Sequence, residues 1–324
     1  MLSFILNDLC IGVPVVLGKN GIEKIYDSFL KGVPGKEEIE VNAKGKYIRR
    51  LSMIKSKPGK DVQLTINSEI QDYAYKAIGS NVGAALVLDA KNGDIICSAS
   101  TPSYDPNMFS KTLYDSNWEK IINSPNAPLF NRSINGLYPP GSTFKPVVAL
   151  AALQNGMITD KDTIHCNGTY ILGNRKFHCW KKSGHGNLNL SDAIAQSCDV
   201  FFYDLALRLG IDKISETAKL LGFGKYYDEY YGIPKSIVPS KKWKKDNFNE
   251  SWQKGETLNV GIGQGFLLST PLELAIMTGN IINNGNIISP NIIKSISGEN
   301  IKNNNVNKGN NFNIEHLNLS LIHI

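Results

Sequence analysis

Long apolar runs are absent from this sequence. No stretch reaches the roughly 18 consecutive apolar residues by which a membrane-spanning helix is recognised. The opening MLSFIL is too short for the apolar core of a signal peptide, and no basic segment precedes it. The 324 residues as written therefore predict neither a membrane span nor an export signal.

Cysteine is also scarce, and its count is odd. Five cysteines argue against a fully paired disulfide framework, which needs an even number. The excess of one charge sign is small, since 35 lysines and arginines face 29 aspartates and glutamates for a net charge of +6. No nucleic-acid-binding motif accompanies the basic residues, so a nucleic-acid partner is not expected.

The residues that are present have the composition of an ordinary folded protein, 42% hydrophobic and 20% charged. Residues 37–51 predict two strands around a turn, and residues 83–100 predict a hairpin that turns at Asn92-Gly93. A helix is predicted over residues 21–30. Strands mixed with helices, without regular β-α alternation, indicate an α+β domain.

The stretch YPPGSTFKPVVALAALQNG, residues 138–156, combines a backbone break with a candidate active site. Its Pro-Pro-Gly forces a turn, Pro146 is tolerated only in the first turn of a helix, and an apolar helix follows. Ser142 then lies at a helix N-terminus, where the helix dipole favours a developing alkoxide. Lys145 lies on the same face one turn later, where a desolvated amine can act as a base.

The same spacing has a structural interpretation, in which Ser142 is a helix N-cap and Lys145 is a surface lysine. Ser-x-x-Lys occurs again at Ser28, Ser52 and Ser251, where no chemistry is assigned to it. The spacing alone therefore leaves both interpretations open.

A second group of residues combines three cysteines with one histidine. Cys166, Cys179, His185 and Cys198 lie close together in the sequence. Three thiolates and one imidazole form a closed ligand set for structural zinc, although their spacing is not that of a standard zinc finger. Scattered cysteines or a single disulfide are the alternatives.

Three stretches together resemble one protein family. They are YPPGSTFKP, SCDVFFYDLALRLGI and GIGQGFLLSTPLELA, and further similar stretches extend from about Gly18 to Pro290. The sequence is similar to the penicillin-binding transpeptidases, and within them to the class B enzymes of cell elongation. The resemblance implies a penicillin-binding-protein or serine β-lactamase-like fold, an antiparallel sheet flanked by helices. Residues 1–60 would be a remnant of the N-terminal pedestal domain, and residues 61–324 a transpeptidase domain without its C-terminal part.

The same resemblance implies roles for four residues of a peptidoglycan D,D-transpeptidase. Ser142 would attack the penultimate D-alanine carbonyl of a stem peptide with Lys145 as general base, and its backbone N–H would form half of the oxyanion hole. Ser197 would relay a proton towards the leaving amine. Asp199 stands where many relatives carry asparagine; it would steady Lys145 or bind the substrate amide, and would also favour the protonated amine.

The resemblance also strengthens the zinc hypothesis. The resemblance implies that elongation-type relatives bind zinc through equivalent positions. His185 and Cys198 match those positions directly, whereas the relatives have carboxylates where this chain has Cys166 and Cys179. Sulfur suits zinc at least as well as a carboxylate does. Because Cys198 lies between Ser197 and Asp199, the implied role of the metal is structural support of the loop that carries these two candidate residues.

One motif of the family is missing. A Lys-Ser/Thr-Gly triplet is expected on a strand after Ser197, but the only such triplet, Lys182-Ser183-Gly184, precedes it and is rejected. The sequence is therefore expected to be an internal part of a longer gene product, cut at both ends. By itself it is expected to be inactive or nearly so, because the missing motif supplies the other half of the oxyanion hole.

The resemblance implies stem peptides ending in D-Ala-D-Ala as substrates and β-lactam antibiotics as ligands. It implies a membrane SEDS-family glycosyltransferase and other elongation-complex proteins as partners, at the outer face of the cytoplasmic membrane, through an anchor outside this sequence. Two other functions stay open: a serine β-lactamase-like hydrolase and a non-catalytic, zinc-stapled binding module.

Overall fold

The computed structural model describes the following parts of the chain: residues 18, 20–107, 116–225, 236–301, 306–307, 309, 312–313 and 315–317. No helix within these parts combines the length and the apolar character needed to cross a bilayer. The opening segment MLSFIL lies outside the described residues.

Short strands and helices are mixed along the described chain. The helices are α1 (Gly21–Ile25), α2 (Asp27–Leu30), α3 (Ser68–Ile78), α4 (Ser116–Ile122), α5 (Lys145–Gln154), α6 (Leu190–Ala195), α7 (Asp199–Leu209), α8 (Ile211–Leu220), α9 (Lys241–Phe248), α10 (Lys254–Gly261) and α11 (Pro271–Ile282). The strands are β1 (Lys36–Val41), β2 (Tyr47–Ile54), β3 (Val62–Leu64), β4 (Gly83–Leu88), β5 (Ile95–Thr101), β6 (Ile164–Cys166), β7 (Thr169–Leu172), β8 (Arg175–His178), β9 (Gly186–Leu188), β10 (Ile287–Ile288), β11 (Ile293–Ile296), β12 (Glu299–Asn300) and β13 (Val306–Asn307).

Helix α5 lies in the largest hydrophobic core of the described chain. Every residue from Lys145 to Leu153 is buried, because the helix is apolar on all sides and offers no face suited to water. Helices α7 and α8 pack against it, and Phe201 and Phe202 of α7 are fully buried. Both α5 and α7 begin at candidate site residues, Lys145 and Asp199, so the core fixes the positions of those residues.

The two predicted hairpins are confirmed. β1 pairs antiparallel with β2, and β4 pairs antiparallel with β5 across a turn in which Gly93 has a φ of 79°. Helices α3 and α11 pack against the β4–β5 hairpin, and β3 pairs antiparallel with the distant β11. The prediction of an α+β domain is therefore confirmed.

The helix predicted over residues 21–30 is interrupted. α1 ends at Ile25 and α2 begins at Asp27, with Tyr26 between them at a φ of −102° and a ψ of 17°. The Asp27 carboxylate accepts the backbone N–H of Gly18 at 3.0 Å, and an acidic residue is favoured in the first turn of a new helix. Amphipathic spacing does not reveal this local contact.

Candidate active site

Ser142 lies in a 3-10 turn, Gly141–Phe144, that leads directly into α5. The α-helix itself begins at Lys145, so the predicted helix N-terminus lies slightly later in the chain than expected. The local reason is the 3-10 hydrogen bonding of this turn, in which the backbone N–H of Lys145 donates to the carbonyl oxygen of Ser142. Pro146 occupies the first turn of the α-helix, as predicted.

Glycines allow a second loop to lie against the serine turn. Gly141 has a φ of 59°, in the left-handed region that favours glycine, and its N–H donates to the carbonyl oxygen of Gly263 at 2.8 Å. A Cβ at Gly263 would overlap the backbone of Gly141. The GIGQG stretch therefore supports the nucleophile turn through this close backbone approach.

Lys145 is buried beside the serine turn. The residue is 1% exposed, and its Nζ lies 5.5 Å from the centroid of the Phe202 ring. Nζ donates to the carbonyl oxygen of Ser197 at 2.8 Å, to Ser197 Oγ at 2.9 Å and to Asp199 Oδ1 at 2.7 Å. Each of the three donors of the buried ammonium group thus has an acceptor. The alternative of a surface lysine is wrong.

Ser197 connects Lys145 to Ser142. Its hydroxyl accepts from Lys145 Nζ and donates to Ser142 Oγ at 2.8 Å. Within the described residues no hydrogen bond joins the side chains of Ser142 and Lys145 directly, so the predicted pair is bridged by a third residue. The two hydroxyls and the amine form a row along which a proton can move from Ser142 to Lys145.

The backbone of Ser197 is held in an unusual conformation. Its φ is 51°, in the left-handed region, which costs a non-glycine residue on the order of 1–3 kcal/mol unless its surroundings hold it. The N–H of Ser197 donates to the carbonyl oxygen of Ile194, and that of Cys198 donates to the carbonyl oxygen of Ala193. These bonds close the end of α6 and fix the turn that leads to α7.

Asp199 uses both of its carboxylate oxygens. Oδ1 pairs with Lys145, and Oδ2 accepts the backbone N–H of Trp180 at 3.0 Å. The side chains of Lys145 and Asp199 are 2% and 14% exposed, so their ion pair is largely shielded from water. This geometry fits the expected role of steadying the lysine.

Trp180 belongs to the site although the sequence did not single it out. Its indole N–H donates to the carbonyl oxygens of Gln196 and Ser197, each at 3.1 Å. The one available sequence signal was its place directly after Cys179, a predicted metal ligand. The cleft beside the nucleophile is lined by Ser142, Trp180, Ser197, Asp199, Ile262 and Gln264.

The four predicted metal ligands converge behind the same turn. Cys166 ends β6, Cys179 follows β8, His185 precedes β9 and Cys198 precedes α7. Their ligand atoms all lie within 4.8 Å of one another. Antiparallel pairing sets Cys166 opposite Gly186, the neighbour of His185. Strand pairing therefore assembles the cluster, which explains why its spacing differs from that of a zinc finger.

The distances within the cluster fit a tetrahedral zinc ion. The Sγ atoms of Cys166 and Cys179 each lie 3.6 Å from Nδ1 of His185. Tetrahedral zinc bonds of about 2.3 Å to sulfur and about 2.0 Å to nitrogen place such a pair of atoms about 3.5 Å apart, close to the spacing found here. The three cysteines are free thiols, so the alternative of a disulfide among them is wrong.

The imidazole of the cluster is also suited to a cation. Burial lowers the pKa of His185 and so favours the neutral imidazole, the form that binds metals. Burial, together with the neighbouring thiols, raises the pKa of the Cys198 thiol to about 12. A bound metal ion reverses that preference and stabilises thiolate.

The rejected triplet Lys182-Ser183-Gly184 lies in the loop of this cluster. Gly184 has a φ of 78°, and a Cβ there would overlap the carbonyl of Cys166. The triplet therefore shapes the loop that carries His185, and this position agrees with its rejection as the Lys-Ser/Thr-Gly motif of the family.

Comparison with known families places this geometry in context. The sequence model of the penicillin-binding protein transpeptidase domain matches residues 83–319. The chain belongs to this family. A second model, the penicillin-binding protein dimerisation domain, matches residues 15–64. The resemblance inferred from the sequence is confirmed, while the predicted division of the chain at residue 60 stays a prediction.

Relatives support the same assignment. The peptidoglycan D,D-transpeptidase MrdA of Haemophilus influenzae is 38% identical over 285 residues, 87% of this chain and 44% of the relative. The structure of Pseudomonas aeruginosa PBP2 matches at 35% identity with a TM-score of 0.82, over 94% of this chain and 66% of that one. A complex of PBP2 with MreC from Helicobacter pylori matches at 35% sequence identity with a TM-score of 0.83. The match covers 95% of this chain and 57% of that one. The predicted transpeptidase fold is confirmed, and the chain spans less than half the length of the curated relative.

Proposed function

We propose that the protein is a serine-type peptidoglycan D,D-transpeptidase of cell-wall elongation. The observation that carries the proposal is the row Ser142–Ser197–Lys145, with spacings of 2.8 and 2.9 Å, beside an open cleft. A hydroxyl joined to a buried amine through a second hydroxyl is suited to acyl transfer. The relatives named as D,D-transpeptidases support the choice of substrate.

In the proposed acylation, Ser142 Oγ attacks the carbonyl carbon of the penultimate D-alanine of a stem peptide. The step requires the form of the site in which Lys145 is a neutral amine: the proton of Ser142 passes through Ser197 to that amine, and Asp199 stabilises the resulting ammonium. The backbone N–H of Ser142 binds the developing oxyanion. The C–N bond then breaks, and the terminal D-alanine leaves after taking a proton back from the lysine through Ser197.

The second half of the proposed reaction forms the cross-link. An amine of a neighbouring stem peptide attacks the acyl-enzyme, gives up a proton to the same row, and displaces Ser142 Oγ with its proton restored. A β-lactam enters as an analogue of the substrate and leaves a long-lived acyl group on Ser142. A β-lactamase-like hydrolase would clear that group rapidly, and no family or relative in the comparison favours that function.

The proposed setting is the outer face of the cytoplasmic membrane, within an elongation complex. The H. pylori PBP2 structure contains MreC, and a further similar structure is that of a peptidoglycan synthase complex. By analogy, we propose elongation proteins and a SEDS-family glycosyltransferase as partners of this protein. Co-purification after crosslinking of intact cells tests this part of the proposal, and recovery of neither class of partner would refute it.

Covalent labelling of the protein at its full natural length tests the reaction. A fluorescent penicillin should form a long-lived adduct, and Ser142→Ala should abolish it. Ser52→Ala is the matched control, because Ser52 has the same spacing to a lysine but lies exposed on β2. It should label as the wild type does. Labelling that survives Ser142→Ala would rule out the nucleophile, and rapid loss of the adduct would favour the hydrolase.

We propose further that Cys166, Cys179, His185 and Cys198 hold a structural zinc ion. The support is the mutual distance of their ligand atoms, within 4.8 Å, and the sulfur–nitrogen spacing of 3.6 Å. Zinc there would tie the strands of the cluster to the start of α7. Elemental analysis should find about one zinc per chain. A purified, folded protein without zinc would refute the proposal.

A further inference from the structure

Trp180 combines wide exposure with firm anchoring. The residue is 64% exposed, yet its indole N–H is shared between the carbonyl oxygens of Gln196 and Ser197. Its ring packs edge-on against the imidazole of His185, with centroids 5.3 Å apart. Because most of the Trp180 surface stays in contact with water, apolar burial alone does not explain why this side chain is held in place beside the cleft.

The carbonyl oxygen of Ser197 is the point at which Trp180 meets the proposed reaction path. That oxygen accepts from Lys145 Nζ at 2.8 Å as well as from the indole at 3.1 Å. Because the φ of Ser197 is 51°, its backbone relaxes unless neighbouring groups hold it. The indole N–H therefore helps to keep Ser197 Oγ at 2.8 Å from Ser142 Oγ.

The backbone of Trp180 acts on the other end of the same turn. Its N–H donates to Asp199 Oδ2 at 3.0 Å, while Asp199 Oδ1 accepts from Lys145 at 2.7 Å. Trp180 thus contacts both Ser197 and Asp199, the residues that supply the three acceptors of the Lys145 ammonium. Trp180 also lines both the cleft of the nucleophile and a second cleft, to which Lys181 and His185 contribute.

We propose that Trp180 is a positioning residue for the acylation of Ser142. Its indole N–H orients the carbonyl of Ser197 and so keeps the hydroxyl–hydroxyl–amine row in line. The inference rests on the proposed transpeptidase function, to which it adds a residue outside the serine-lysine and Ser197–Asp199 motifs. It assigns Trp180 an effect on the rate of the covalent step rather than on the initial binding of the acyl donor.

Trp180→Phe tests the inference, because it removes the indole N–H and keeps an aromatic ring. In the full-length protein with its metal, the acylation rate constant with a fluorescent penicillin should fall about tenfold, as expected for one lost hydrogen bond. The dissociation constant of the initial complex should change less than about twofold. Trp252→Phe is the matched control with an unchanged rate, since its indole N–H donates to Thr257 Oγ1 outside the cleft.

A second variant guards against an effect of ring size. Replacement of Trp180 by 3-benzothienylalanine keeps the shape of the ring without its N–H and should lower the rate by the same factor. Metal content should be unchanged and the melting temperature should stay within about 2 °C of the wild type. A change in the initial binding alone, or a loss of metal together with the rate, would overturn the positioning role.

The two proposals fail in different ways. If the wild type forms no adduct with penicillin, the proposed function fails. If the wild type labels and both Trp180 variants acylate at its rate, only the positioning role fails.

Discussion

Two polar clusters meet at residues 197–199, and they differ in what balances the polar groups that each of them buries. In the first, the ammonium of Lys145 is matched by oxygens of Ser197 and Asp199, so the protein supplies both charges itself. In the second, four ligand atoms crowd within 4.8 Å, and burial raises the pKa of the Cys198 thiol. In the first cluster, residues of the chain accept every hydrogen bond of the Lys145 ammonium. The second cluster has the side-chain types that bind a metal cation.

The difference matters because the clusters share one turn. Cys198 stands between Ser197 and Asp199, and Trp180 follows Cys179 while contacting that same turn. We therefore expect the second cluster to support the geometry of the first, without any part in its chemistry. We expect changes to the first cluster to affect acylation most, and changes to the second to affect stability first.

Lys145→Met breaks the first cluster and should have the largest effect on acylation. It removes the proposed base, so labelling by fluorescent penicillin should slow by at least about 10³-fold. It also leaves the Asp199 carboxylate largely buried without its partner, which should lower the free energy of unfolding by about 3 kcal/mol. Stopped-flow labelling and denaturant unfolding measure the two effects.

The double variant Lys145→Met/Asp199→Asn separates these effects. Removing the unpaired charge should restore part of the lost stability and none of the labelling. A single variant that still labels within tenfold of the wild type would contradict the role of Lys145, whatever its stability.

Cys166→Ser breaks the second cluster and should affect stability more than acylation. Loss of a sulfur ligand should abolish binding of the proposed zinc ion and lower the melting temperature by more than about 5 °C. Acylation should slow about tenfold, because only the support of the turn is weakened. Elemental analysis, a thermal melt and the labelling rate measure the three quantities on one sample.

Cys97→Ser is the matched control for that variant. Cys97 is a buried free thiol like Cys166, but it lies on β5 outside the cluster. It should bind the proposed zinc ion as the wild type does and keep the wild-type labelling rate. Equal metal contents in the two variants would contradict the assignment of Cys166 as a ligand.

Much of the first cluster could be predicted, because short-range signals specify it. A Pro-Pro-Gly break followed by an apolar run fixes where α5 starts, and that start places Ser142 and Lys145. The Asn92-Gly93 turn was predictable for the same reason, since Gly93 adopts a positive φ in a tight turn. Signals of this kind act within a few residues of chain.

The remaining features depend on contacts that no local pattern encodes. The bridge from Lys145 to Ser197 spans 52 positions, and the indole of Trp180 binds backbone carbonyls, which every residue possesses. The approach of Gly263 to the serine turn is likewise set by a tertiary contact. Residue type therefore predicted the members of the site better than the bonds between them.

Glu273 sharpens the comparison as a buried carboxylate that forms no ion pair within the described residues. It lies fully buried in α11, and its Oε1 accepts the N–H of Gly224 at 2.9 Å. Burial raises the pKa of Glu273 from an ordinary 4.5 to about 7. The folded protein therefore binds this proton more tightly than the unfolded chain does. The stability that protonation contributes is fully present below about pH 4.5 and is lost as the pH rises through about 7.

Glu273→Gln should remove that pH dependence with the smallest effect on acylation. The wild type should lose on the order of 3 kcal/mol of unfolding free energy between about pH 4.5 and 8 through this group, and the variant should not. Exposed Glu299→Gln should follow the wild-type curve. If the unfolding free energy of the variant depends on pH as that of the wild type does, Glu273 stays charged when buried. Hydrogen-bond donors alone would then stabilise its carboxylate, as the ammonium of Lys145 stabilises that of Asp199.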